Sequence, residues 1–214
     1  MTRRAAILLP LAAAIAGAVV VDRIAVIVGK HAIKLSDIDR DLRVTEFLNR
    51  TPLSLSPGDR RKAAERLIDQ SLIADEISIG GYARPTEQDA AAMLNRIRQD
   101  RYAGSESRFT QGLAVYGFTE DQLQRELFWQ LEVLRFIDQR FRPGVLISDD
   151  DIRDYYNQHR AELARQYPQA ANYNALAPKI REQLEGERIN QNFTQWLARA
   201  RQRNRIEYRQ GAFQ

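Results

Sequence analysis

No cysteine occurs among the 214 residues, which excludes a disulfide framework, a cysteine-based zinc site and a thiol nucleophile. Histidine is nearly as scarce, at His31 and His159 only, so a catalytic centre built on paired histidines has little to draw on. Each is accounted for more simply, His31 as a strand residue and His159 as a cation near a helix C-terminus. The chain also lacks a glycine-rich phosphate loop, a G-x-S-x-G elbow and an H-E-x-x-H helix. Lysine is rare too, four against 28 arginines, and the arginines are interleaved with Asp and Glu rather than gathered in runs. A nucleic-acid footprint needs a concentrated basic stripe; this pattern describes a helical surface rich in ion pairs. Asp149-Asp150-Asp151 is the densest acidic run, but consecutive helical residues point in different directions, and three acids at the positive end of a helix suit its dipole. No metal and no cofactor is expected.

What is present begins with Met1 to Ala18: Arg3 and Arg4, an apolar run from Ala5, and small residues at Ala16-Gly17-Ala18. That is the layout of a cleavable secretory signal peptide over 1–18, with cleavage after Ala18 favoured over cleavage after Ala16. The competing reading is a retained N-terminal membrane anchor, because the run to Val21 falls only slightly short of a spanning helix. Without 1–18 the chain keeps 30 basic and 28 acidic residues, net +2, against +4 and a pI near 9.5 for the whole. Just under 200 residues then remain, enough for one substantial domain or two small ones.

Arg23 to Val28 and His31 to Leu35 are rich in β-branched residues and flank Gly29-Lys30, a pair suited to a primed hairpin turn. Pairing across it sets Val28 opposite His31, Val26 opposite Ile33 and Ile24 opposite Leu35. A lone hairpin is marginal in water and needs helices or a further strand. Only Arg205 to Arg209 offers one, and its addition would bring the two ends of the chain together.

The rest reads as helix. Ser36 with Asp39 has capping-box spacing. Asp59 to Ile79 follows the loop Thr51–Gly58. Thr86 with Asp89 opens a helix that frays near Arg101, Ser105 opens a short one closed by Gly117, and Thr119 with Gln122 opens a long one to Arg140. On the long helix Leu123, Leu127, Leu131, Leu134 and Ile137 share a face, while Trp129, Val133 and Phe136 form a second stripe, so it needs two neighbours. Ser148 caps the next helix. Arg160 to Ala177 reads as a weak helix and a connection, and Pro178 fits the first turn of a closing helix. There Leu176, Ile180 and Leu184 lie on one face and Ile189, Phe193, Trp196 and Ala200 on nearly the opposite one, with Gly186 between. Such a helix touches different bodies at its two ends or bends at the glycine. The fold class is therefore mainly α, with a small β-hairpin near the N-terminus joined by a C-terminal strand.

The run VVDRIAVIVGKHAIKLSDID, followed by ERLIDQSLI, PTEQDAAAMLNRI, YGFTEDQLQRELFWQLEVLRFIDQRF and LISDDDIRDYYNQH, resembles the amino-terminal module of SurA-type periplasmic chaperones. IREQLEGERINQNFTQWLARARQRNRIEYR is similar to that family's closing helix and strand. The resemblance implies a SurA-like helical chaperone domain over 19–214, made of an N-terminal module (19–160), a connection (161–177) and a closing helix and strand (178–214). Most members carry a parvulin-type prolyl isomerase domain of about one hundred residues at the connection. Here only 18 residues separate His159 from Pro178, too few for such a domain, so the chain is expected not to be an enzyme.

The resemblance further implies a holding chaperone in the periplasm that binds unfolded outer-membrane or secreted polypeptides, with no nucleic acid as partner and no stable membrane insertion once the leader is cleaved. A homodimer is compatible with it. A holdase needs apolar surface that its own core does not consume. The candidates for client binding are Phe109, Tyr116, Phe118, Trp129, Val133, Phe136 and Trp196, although packing of the closing helix on the long one accounts for any single one of them equally well. The other readings are a non-catalytic envelope scaffold or dimerisation module, and a residual peptidyl-prolyl isomerase.

Overall fold

The computed structural model describes residues 22–169 and 172–213; the signal-peptide reading over 1–18 lies outside them. The β-branched ribbon forms β1 (Ile24–Val28) and β2 (His31–Lys34). Between them Gly29 takes a positive φ of 56° and Lys30 does not, which meets the requirement of a II′ turn for glycine first. Val28 pairs with His31 and Val26 with Ile33, as the alternation predicts, but Ile24 pairs with Lys34 rather than Leu35. A bulge at Ile24–Val26 takes up the extra residue, because Leu35 already belongs to the helix that follows. The C-terminal segment forms β3 (Ile206–Tyr208), antiparallel to β1 with Val26 opposite Tyr208 and Val28 opposite Ile206. The sheet order is β2-β1-β3. The two ends of the described chain therefore share one sheet, and β1 is protected on both edges.

Helix α1 (Leu35–Asn49) starts earlier than Ser36 capping predicts. The Lys34 amide donates to Asp37 Oδ2 at 3.0 Å, so the acidic residue two positions before Asp39 guards the first turn. Ser36 instead donates to Asp22, and Asp39 accepts two bonds from Arg60 at 2.9 and 3.1 Å. Helix α2 (Pro57–Gly80) is likewise longer at its start than Asp59 implies: Ser56 caps it and Pro57 takes the first helical position, where a missing amide costs nothing. The caps at Thr86, Ser105, Thr119 and Ser148 stand where the spacing places them. They open α3 (Glu87–Tyr102), α4 (Glu106–Tyr116), α5 (Glu120–Phe141) and α6 (Asp149–Gln158). A short α7 (Arg160–Gln166) precedes α8 (Tyr173–Arg203). Pro178 lies inside α8 rather than in its first turn, because Asn172 caps it by accepting from the Ala175 amide at 2.9 Å. Helix thus extends into the 161–177 connection from both sides.

Apolar side chains collect into three clusters. The central one joins Val26, Val28 and Ile33 of the sheet to Ile68 and Leu72 of α2, Phe136 of α5 and Trp196 of α8. A second joins Phe47 of α1, Leu94 of α3, Phe109 of α4, and Leu123 and Leu127 of α5. The third joins Ile152 of α6, Leu163 of α7, and Leu176 and Ile180 of α8. The switch of face along α8 has its predicted consequence: the first half serves the third cluster and the second half the central one. Helix α5 behaves similarly, but not along the predicted leucine stripe. Leu123 and Leu127 are fully buried, whereas Leu134 is 60% exposed, and beyond Leu127 the helix is seated by Trp129, Val133, Phe136 and Ile137. The stripe that looked spare is the one that holds α5 to the sheet core. Glu132 is buried between these residues and is satisfied by Arg84 Nε at 2.5 Å.

Candidate functional site

One stripe from each of three helices, together with the free edge of the sheet, encloses a half-open cavity of about 430 Å³. The periodicity explains the wall: Asp37, Arg40, Asp41 and Val44 on α1; Leu67, Gln70, Ser71 and Ala74 on α2; Gln122, Glu126 and Trp129 on α5. Steps of three and four put each set on one helix face. His31, Ala32 and Ile33 of β2 complete it. The volume is that of a site for a small molecule or for a few side chains of a peptide.

The carboxylates of this groove differ in their partners. Asp37 accepts from Arg40 at 3.2 Å. Asp41, with its side chain only 8% exposed, pairs with Arg66, whose Nε lies 3.1 Å away; burial nevertheless pushes its carboxyl above the usual range, with Arg66 opposing. Glu126 is also pushed up, first by burial and further by the charge of Asp41, while a bond from Gln130 Nε2 at 3.3 Å and the charge of Arg66 counter only part of this. At the rim, His31 Nε2 lies 2.8 Å from Asp75 Oδ1.

The seven aromatic and apolar candidates do not share one surface. Phe109, Tyr116 and Phe118 belong to the second cluster, where Phe109 is fully buried and Phe118 is 7% exposed. Phe47 meets the rings of Tyr116 and Phe118 edge to face at 5.6 and 5.2 Å, so these three hold α1 and α4 together. Phe136 and Trp196 lie in the central cluster at 1% and 7% exposure, their rings 5.4 Å apart, and Val133 packs against the same cluster. Of the seven only Trp129, partly buried at the edge of the central cluster, also lines the groove. Phe136, Val133 and Trp196 thus form a packed contact between α5 and α8.

Asp41, Arg66 and Glu126 escaped sequence reasoning. The pairing of Asp41 with Arg66 spans 25 positions, and nothing local marks it. Glu126 carried a faint signal as a polar residue next to Leu127 on the flank of an apolar stripe. The two histidines have different surroundings: His31 lines the groove beside Asp75, whereas His159 ends α6, stacked on Tyr155 at 4.2 Å. Among the described residues no group of three or more His, Asp or Glu is arranged to hold a metal ion, and no helix is long and apolar enough to cross a membrane.

A second hollow of about 540 Å³ lies against α3 and α5, with Arg50, Arg96, Arg101 and Arg135 around Met93, Ile97 and Leu131. Two of these arginines have structural work: Arg101 donates to the Phe47 and Leu48 carbonyls at the end of α1, and Arg135 to Asp89 and the Arg84 carbonyl. The chain matches no protein-family model and no curated protein.

Proposed function

We propose that this protein is a SurA-like holding chaperone of the periplasm that binds unfolded outer-membrane or secreted polypeptides in the groove between β2, α1, α2 and α5. The observation that carries the reading is the groove itself. Its apolar residues, Ala32, Ile33, Val44, Leu67, Ala74 and Trp129, are interleaved with polar ones, a composition that takes up apolar side chains yet stays soluble when empty. A tryptophan wall offers a large contact area without demanding one client sequence. The resemblance of the chain to SurA-type chaperones supports the same reading. With the parvulin insert replaced by a short connection, the activity is holding and not prolyl isomerisation.

The test is suppression of aggregation. An unfolded outer-membrane protein diluted from denaturant scatters light as it aggregates, and near-stoichiometric amounts of this protein should reduce that scattering. Trp129→Ala should weaken the effect severalfold while Phe109→Leu, in the second cluster, leaves it intact. Unchanged scattering with the wild-type protein would refute the holdase reading. A protease-coupled assay on a proline peptide should show only the uncatalysed rate; activity lost on His159→Ala would favour a residual isomerase.

A further inference from the structure

One of the groove's acids has no arginine in direct contact. Asp37 has Arg40 and Asp41 has Arg66, but Glu126 accepts from Gln130 and forms no ion pair among the described residues; the charge of Arg66, already paired with Asp41, acts on it only weakly. The ring of Trp129, three residues along the same helix face, also has no guanidinium or ammonium over it among the described residues. By contrast Trp196, the other tryptophan, carries Arg140 at 5.6 Å. In a chain with 28 arginines, a carboxylate and an indole on one cavity wall, neither in direct contact with a cation among the described residues, form a complementary pair: the carboxylate attracts positive charge and the ring face stabilises it. Burial and the nearby Asp41 both raise the cost of the Glu126 charge, a cost that an incoming cation relieves.

We propose that the groove selects, within unfolded clients, a lysine or arginine flanked by apolar residues, with its cationic head held between the Glu126 carboxylate and the Trp129 ring. The proposal rests on the holdase reading and deepens it by naming the client chemistry. A basic side chain suits the cavity at both ends, because its methylene stem can lie along Leu67 and Ala74 of α2 while the head reaches α5. The flanking apolar residues fill the remaining walls.

The experiment uses end-capped, fluorescently labelled peptides of leucine, phenylalanine and serine with one central lysine, and the same peptide with norleucine in its place, titrated with the protein and read by anisotropy. The lysine peptide should bind about tenfold more tightly, and Glu126→Gln should remove that preference, read as the ratio of the two affinities. Circular dichroism checks that the variant is folded, and citrulline against arginine repeats the comparison on the wild-type protein without any mutation. Equal binding of the charged and uncharged peptides to the wild-type protein, or a preference that survives Glu126→Gln, overturns the cation site but leaves the holdase reading standing. Failure of every peptide to bind, with aggregation still suppressed, overturns this groove as the client site and the cation site with it.

Discussion

The two tryptophans stand on helices that both serve the central core, yet their surroundings differ. Trp196 is enclosed by Phe136, Phe141 and Phe193, with ring centroids 5.4 to 6.1 Å away, and Arg140 covers it. Trp129 packs against the same core from its edge and turns part of its surface into the groove. Each lies on an apolar stripe of an amphipathic helix, so helix periodicity treats them alike. What separates them is the neighbour across the contact: α8 meets α5 ring against ring around Trp196, whereas around Trp129 the space between α5 and the α1–α2 pair is left unfilled. A residue becomes core or site according to whether a second element closes over it.

The sharpest way to break this comparison is Trp196→Ala. Removing a ring from the closed aromatic cluster should cost about 3–5 kcal/mol in stability, measured by urea unfolding; a cost as small as that of Trp129→Ala would mean the cluster is loose. Next comes Arg201→Ala. Arg201 anchors the Trp196 end of α8 to α2 through Asp69 at 2.5 Å and the Glu65 carboxylate and carbonyl at 2.8 and 2.9 Å. Its loss removes this donor from part-buried Asp69 and leaves Glu65 with Tyr208, and should cost about 1.5–3 kcal/mol. Trp129→Ala should lower stability by only about 1–2 kcal/mol, since the ring is partly exposed, while weakening client binding clearly. Weak binding with stability little changed assigns Trp129 to the groove; intact binding with a large unfolding shift assigns it to the core.

The smallest effect concerns Glu126. Its carboxyl is raised in the folded protein by burial and by Asp41, so the native state holds this proton more tightly than the unfolded chain does. Its charge therefore opposes folding at pH above the raised value, and the opposition fades as pH falls through that value towards the ordinary glutamate range. Glu126→Gln should stabilise the protein at neutral pH by less than about 1 kcal/mol, and the gain should vanish in mildly acidic buffer. Thermal melts of both proteins across that range check the sign. A loss at neutral pH would show that the carboxylate already has a stabilising partner.

Much of the architecture was legible because its causes are local. The capping pairs at Thr86, Thr119 and Ser148, the glycine-first turn at Gly29 and the change of face around Gly186 each act within a few residues, and each has its expected consequence. The pairing of residues 206–208 with β1 was also within reach, since a two-stranded ribbon lacks a partner and only one other segment alternates as a strand. The misreadings share a different cause. Ser36 resembled a cap, but the helix began at Leu35 because Asp37 reached the Lys34 amide first. Leu134 resembled a core residue by its spacing and is exposed, because beyond Leu127 the opposite side of α5 packs on α8 and the central cluster.

The sequence by itself determined most of the helices, the caps at Thr86, Ser105, Thr119 and Ser148, the hairpin and the scarcity of histidine, since hydrophobic periodicity, capping and composition are properties of neighbouring residues. Only the tertiary structure decided which aromatic stripe became core, that Arg66 would pair with Asp41, and that Glu126 and Trp129 would line one cavity without a cation in direct contact among the described residues. Those outcomes depend on how helices far apart in the chain come to lie against one another, and on which surfaces their packing leaves open.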